Sequence, residues 1–181
     1  MYGRNPHSTA QIGGHPIHPM LIPFPIACLV GAFVTDLIYL NTGDRGFATA
    51  SHWLIGFGIG TGLLAAVFGM IDYMGDDRIR RMGTAIQHMI ANVSVIVISI
   101  INFAVRLGDP GDVGSLGVYL SGVVVLILLY SGWLGGELVY RHRVAVQETP
   151  DKFSGYEDKG ASERSPSERS SGEGGSGERG A

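Results

Sequence analysis

Two histidines stand in the run Gly14-His15-Pro16-Ile17-His18-Pro19, immediately before the first long apolar stretch of the chain. Imidazole is the side chain that changes charge near neutral pH and the commonest metal ligand. Prolines at 16 and 19 bias the residues before them toward extended or polyproline conformations, in which residues three apart point the same way. His15 and His18 are therefore expected on one edge. His88 opens a later apolar stretch, and the three imidazoles together suit iron, copper or zinc. Glu137 is a candidate fourth metal ligand, or the acceptor that fixes a histidine tautomer. Asp72, Asn92, Asn102, Arg106 and His142 are the supporting polar groups. Bis-histidine haem b inside a helical bundle is a second form of the same chemistry. A plainer set of roles competes with both and needs no cofactor. In it His18 caps a helix, His88 bonds Asn92 or a carbonyl, and Glu137 pairs with Arg141 one turn later.

The elements that must position these residues are apolar. Hydrophobic residues make up 45% of the 181 and charged ones 16%, and the charges are crowded outside four long stretches, a membrane distribution. The stretches are 21–40, 53–73, 82–105 and 117–139, each about long enough as a helix to cross the roughly 30 Å of hydrocarbon. The fold class expected is all-α, an integral membrane four-helix bundle over 21–146, with a short N-terminal segment, 1–20, carrying the histidine motif. Residues 147–181 are rich in Gly, Ser, Glu and Arg and have little to bury, so a disordered tail is expected there. No cleaved signal peptide is read at the start. The single cysteine, Cys28, allows neither an intrachain disulfide nor a thiolate cluster. The glycines at 58, 60 and 62 lack dinucleotide-binding spacing. No zinc-protease motif, nucleophile elbow or phosphate loop is present. Nucleic-acid binding lacks a basic face.

Two helical stripes carry the internal organisation. Gly58, Gly62, Ala65, Gly69 and Asp72 recur at steps of four and three, a small-residue seam where another backbone can come close and where a macrocycle would find room. His88, Asn92, Val95, Ser99, Asn102 and Arg106 form a mostly polar stripe that must face the bundle interior or a hydrated cleft. Asp36 and Arg106 are candidates for a structural ion pair at the opposite end, near His52, itself read as an interfacial residue beside Trp53. Arg4, Arg78, Arg80, Arg81, Arg141, Arg143 and Lys152 fall on the side of the termini, against Arg45 and Arg106 on the other. The positive-inside rule then places both termini in the cytoplasm of a multi-pass protein of the cell (inner) membrane.

The string His15-Pro16-Ile17-His18-Pro19, Pro23-Phe24-Pro25, Gly69-Met70-Ile71-Asp72-Tyr73, His88, Asn102 with Arg106, and Gly135-Gly136-Glu137-Leu138-Val139-Tyr140-Arg141-His142 resembles the bacterial "domain of unknown function 2231" membrane family, over residues 13 to about 146. The resemblance implies a four-span fold and glycines at 143 and 145, where this chain has Arg143 and Ala145. Some members carry an attached Rieske-type iron-sulfur domain, which implies a redox setting; this chain has none. Two functions follow. One is a redox or electron-transfer subunit binding haem b or a metal (Fe, Cu or Zn) through His15, His18 and His88. The other is a cofactor-free scaffold or a small-solute or proton pathway built on the polar stripe. The partners expected are the lipid bilayer and either a redox partner protein or further copies of the chain.

Overall fold

The structure, a computed structural model, describes residues 5–146; the expected disorder of 147–181 and the charges at Arg4 and Lys152 lie outside them. A small antiparallel ladder of β1 (Gln11–Ile12) and β2 (His15–Pro16) leads into α1 (Ile17–Leu21) and α2 (Pro23–Thr42). Then come α3 (Arg45–Gly75), the short α4 (Asp77–Arg80), α5 (Gly83–Val105) and α6 (Val118–Gly136). Single π-helical turns, Val113–Gly117 and Glu137–Arg141, flank α6. Four segments are long and apolar enough to cross a membrane: Ile17–Thr42, Arg45–Gly75, Gly83–Val105 and Val118–Arg141. The all-α, four-span expectation stands.

Two boundaries differ from the hydropathy reading, each for a local reason. The second long helix begins at Arg45 rather than 53, because helix formation needs a cap and not hydrophobicity. Gly43 closes α2 in the left-handed region at φ 71°, where a Cβ is costly. Asp44 then accepts from Gly46 N at 2.8 Å as the N-cap of α3. The first segment starts early too: Pro19 lies inside α1, in the first turn, where its missing N–H costs nothing. His15 sits in the ladder and His18 on a helix, so the polyproline edge expected to align them does not form.

In the bundle α2 packs on α3 and α6, and α5 packs on the same two helices. The α3 seam shows how the N-terminal part is placed. Added Cβ atoms would lie 2.7 Å from Leu29 at Gly58, 3.6 Å from Pro25 at Gly62, and 3.0 Å from the His18 ring at Gly69. Asp72 and Asp76 continue that line and hold residues 7–10 by hydrogen bonds. The chain from His7 to Leu29 thus runs along one face of α3, antiparallel to it, and each glycine is occupied by a named side chain. Along this seam Leu29, Pro25 and His18 lie against α3.

Midway along the bundle, Leu29, Val95, Val124 and Leu128 form a buried apolar cluster. It divides the polar stripe of α5 into His88 and Asn92 on one side and Ser99, Asn102 and Arg106 on the other. A hydrogen-bonded chain running the length of the stripe is interrupted there.

Candidate metal centre and a buried ion network

At the far end from the N-terminal segment, Arg106 lies just beyond the last residue of α5 and is fully buried, as is Asp36 of α2. The pair is bidentate: Nη1 donates to Asp36 Oδ1 at 2.7 Å and Nη2 to Oδ2 at 2.8 Å. The other guanidinium hydrogens go to Asn102 Oδ1 (2.9 Å), Ser51 Oγ (2.9 Å) and Ser121 Oγ (3.2 Å). Ser121 donates onward to Asp36 Oδ2 at 2.7 Å and accepts from Asn102 Nδ2, while Ser51 donates to Ala32 O. All five guanidinium donors are matched, which is what makes a buried charge tolerable. One side chain thereby ties α2, α3, α5 and α6 together. The ion pair was legible in the sequence; its serine shell, Ser51 and Ser121, was not. Nearby, half-buried His52 stacks on Phe103 at 4.3 Å between centroids.

Gly117 packs against this network, and an added Cβ there would sit 2.9 Å from Arg106 Nη2. Gly117→Ala should therefore destabilise the bundle by about 1–3 kcal/mol, as overpacking does. Denaturant unfolding in mixed micelles measures it, and a neutral result would mean that the guanidinium can yield.

The opposite end holds the histidines. His18 of α1 and His88 of α5 meet at 6.3 Å between ring centroids with their planes perpendicular. His18 Nδ1 donates to Ala65 O at 2.8 Å, and His88 Nδ1 donates to Ser131 O at 2.9 Å. A carbonyl only accepts, so each ring carries a proton on Nδ1, and its neutral form has the lone pair on Nε2; Ser131 Oγ also lies 3.1 Å from His88 Nδ1. Asn92 Nδ2 has two hydrogens and three acceptors: His88 O and Ser131 Oγ, each at 2.8 Å, and His88 Nε2 at 3.1 Å. The longest of the three is the one to Nε2, which leaves that lone pair the least committed. Gly69 of α3 and Gly135 of α6 bring their backbones against the two rings.

The remaining candidates lie outside this pair. His15 is exposed, with Nδ1 against Gly13 O at 3.1 Å in its own turn. Glu137 faces Arg141 at 3.4 Å, the i to i+4 pairing that competed with a ligand role. His142 closes the last π-helical turn through its N–H to Glu137 O. Among the described residues, no three His, Cys, Asp or Glu side chains converge so as to hold a metal ion. Asp72 supports the site indirectly. Its Oδ1 accepts from Ser8 Oγ, Thr9 N and Ala10 N, each at 2.8 Å, and so anchors the segment that leads to His18. Ser131 and Ala65, which orient the imidazoles, could not be found from sequence, since a carbonyl partner leaves no trace in residue type.

A second carboxylate, Asp76, accepts from His7 N at 3.3 Å and is held down to about 2 from 3.8, chiefly by its side-chain hydrogen bond to Arg78. A lowered folded value means that this anchorage is complete above pH 3.8 and lost as the pH falls toward about 2. The protection of the His7 amide, relative to its intrinsic exchange rate, should fall over that interval; a constant protection factor would contradict the assignment.

The family model described as "Predicted membrane protein (DUF2231)" matches residues 14–148, most of the chain. The protein belongs to the DUF2231 family. Neither a curated protein nor a solved structure matches it. Family and fold together make it a multi-pass membrane protein embedded in a lipid bilayer. The DUF2231 match takes in both histidines of the pair, Asp72, and the Asp36–Arg106 network.

Proposed function

We propose that this DUF2231 protein holds a single transition-metal ion between His18 and His88, at the cytoplasmic end of the bundle, and serves as the membrane subunit of a redox system. The observation that carries the reading is the matched orientation of two imidazoles, each with Nδ1–H fixed on a main-chain carbonyl, so that Nε2 is the nitrogen available to an ion, at His88 in exchange for the 3.1 Å contact with Asn92 Nδ2. Metal-ligating histidines are held in this way by their outer partners. The spacing fits as well. With metal–nitrogen bonds of about 2.0 Å, two rings on opposite sides of one ion have centroids roughly 6 Å apart, against 6.3 Å here. An ion also needs none of the room that Leu29, Pro25 and His18 have taken from the seam, whereas haem b would have to displace them. Two protein ligands leave coordination positions open, as at a substrate-binding rather than a purely structural metal site.

A cofactor-free scaffold is favoured by one observation, the complete pairing of Arg106, but that network lies at the other end and serves the fold under either reading. A proton pathway through the stripe would have to cross the apolar layer at Leu29, Val95, Val124 and Leu128. Metal analysis and an absorption spectrum of protein purified after growth with iron, copper, zinc and haem precursor separate the readings. The proposal expects one metal per chain in wild type and in His52→Ala, and none in His88→Ala. A Soret band would restore haem, and absence of both metal and Soret band would leave the scaffold.

A further inference from the structure

We propose that residues 5–16 form a latch over the histidine pair, closed by Asp72 and kept openable by backbone strain in the segment that bonds it from the other side. This rests on the metal-site reading only for what the latch guards.

The segment lies with Pro6, Ser8 and Ala10 buried and His7 and Thr9 exposed, an alternation that presses one edge of it onto the bundle. Hydrogen bonds to two carboxylates, Asp72 and Asp76, fasten it to the end of α3. Asp72 accepts three donors from Ser8, Thr9 and Ala10. Thr9 Oγ1 donates to Ile71 O at 3.1 Å, and Arg78 Nη2 to Asn5 O at 3.2 Å. Asp72 lies one turn beyond Gly69, the residue under the His18 ring, on the same face of α3. Residues 8–10 are thus fixed one turn from the backbone that supports the half-buried His18 ring.

The other side of the latch is the stretch after the last π-helical turn. Ala145 N donates to Pro6 O at 2.9 Å, and Asn5 Nδ2 to Val146 O at 3.1 Å. Here Arg143 and Ala145 hold φ of 51° and 61°, the left-handed region that disfavours any residue with a Cβ. They are the only non-glycine residues with positive φ among those described. The strain falls on the very residues that bond Pro6 and Asn5, or lie beside them, so letting go of the latch relieves it. A segment held on one side by Asp72, with Asp76 on the His7 amide, and bonded on the other to a strained stretch has the opposed terms a gate requires.

The test needs no bound metal. Diethyl pyrocarbonate acylates neutral imidazole, and mass spectrometry reads each histidine of the full-length protein in nanodiscs. In wild type, His18 should react more slowly than exposed His7 and His15. Asp72→Ala should raise the His18 rate at least about tenfold. Arg143→Gly combined with Ala145→Gly should lower it about tenfold, since glycine adopts that conformation without the penalty. Exchange of the Thr9 and Ala10 amides should change in the same directions, while the unfolding midpoint of the bundle stays within a few degrees. A His18 rate in wild type equal to that of His15, or one unmoved by Asp72→Ala although the Thr9 and Ala10 amides are freed, would overturn the latch. Failure of the metal reading looks different: His18 would follow these rates while wild type bound no metal.

Discussion

Arg106→Ala is expected to destabilise the bundle by about 3–5 kcal/mol, because it strands the buried Asp36 carboxylate with no cation and only Ser121 as a donor. Asp36→Ala should cost a similar amount by stranding the guanidinium. The two losses should not add. Replacing both together, Asp36→Leu with Arg106→Met, removes the desolvation of both charges along with their attraction, and should recover most of the stability. Reversible unfolding in mixed micelles measures the cycle. Single losses below about 1 kcal/mol, or a double variant as unstable as the sum, would mean that the pair is not the pin joining the four long helices.

The second large effect concerns the histidines. His18→Ala and His88→Ala should each weaken binding of Zn(II) or Cu(I) by at least about 100-fold, since either leaves a single imidazole; loss of an outer partner alone typically costs about 10–100-fold. His15→Ala and Glu137→Gln should change it little, because His15 is turned onto Gly13 and Glu137 onto Arg141. Gly69→Ala should weaken it without removing a ligand, as its Cβ would come within 3.0 Å of the His18 ring and push it off Ala65 O. Competition titration with a chromophoric chelator gives all five values. Equal affinity in wild type and His88→Ala would sink the assignment.

The fold was legible because its signals are long. Twenty-residue apolar runs and the four-and-three steps of Gly58, Gly62, Ala65, Gly69 and Asp72 survive any local ambiguity. The Asp36–Arg106 pair was legible for a related reason: an ionised residue at membrane depth needs a partner, and few were on offer. The seam was read correctly as a packing surface, but what packs there was not. The N-terminal segment docks on it through Asp72, and nothing in the residue types of Ser8, Thr9 or Ala10 announces a backbone donor. The histidine cluster was legible as far as His18 and His88. His15 was included on the assumption that prolines at 16 and 19 extend the chain, whereas His15 pairs in the ladder and Pro19 enters the first turn of α1 with His18. The departure at Arg143 and Ala145 from the glycines implied by the resemblance marks two positions that are left-handed in the structure. There the backbone geometry was readable from residues that fit it poorly.

In the proposed site, His18 and His88, and no other histidines, present their Nε2 atoms to one ion. Nitrogen-15 NMR of histidine-labelled protein titrated with Zn(II) tests it directly. The Nε2 signals of His18 and His88 should shift together at one equivalent while their Nδ1 atoms stay protonated on Ala65 O and Ser131 O. Shifts confined to His7, His15 or His142, with the signals of His18 and His88 unmoved, would contradict it.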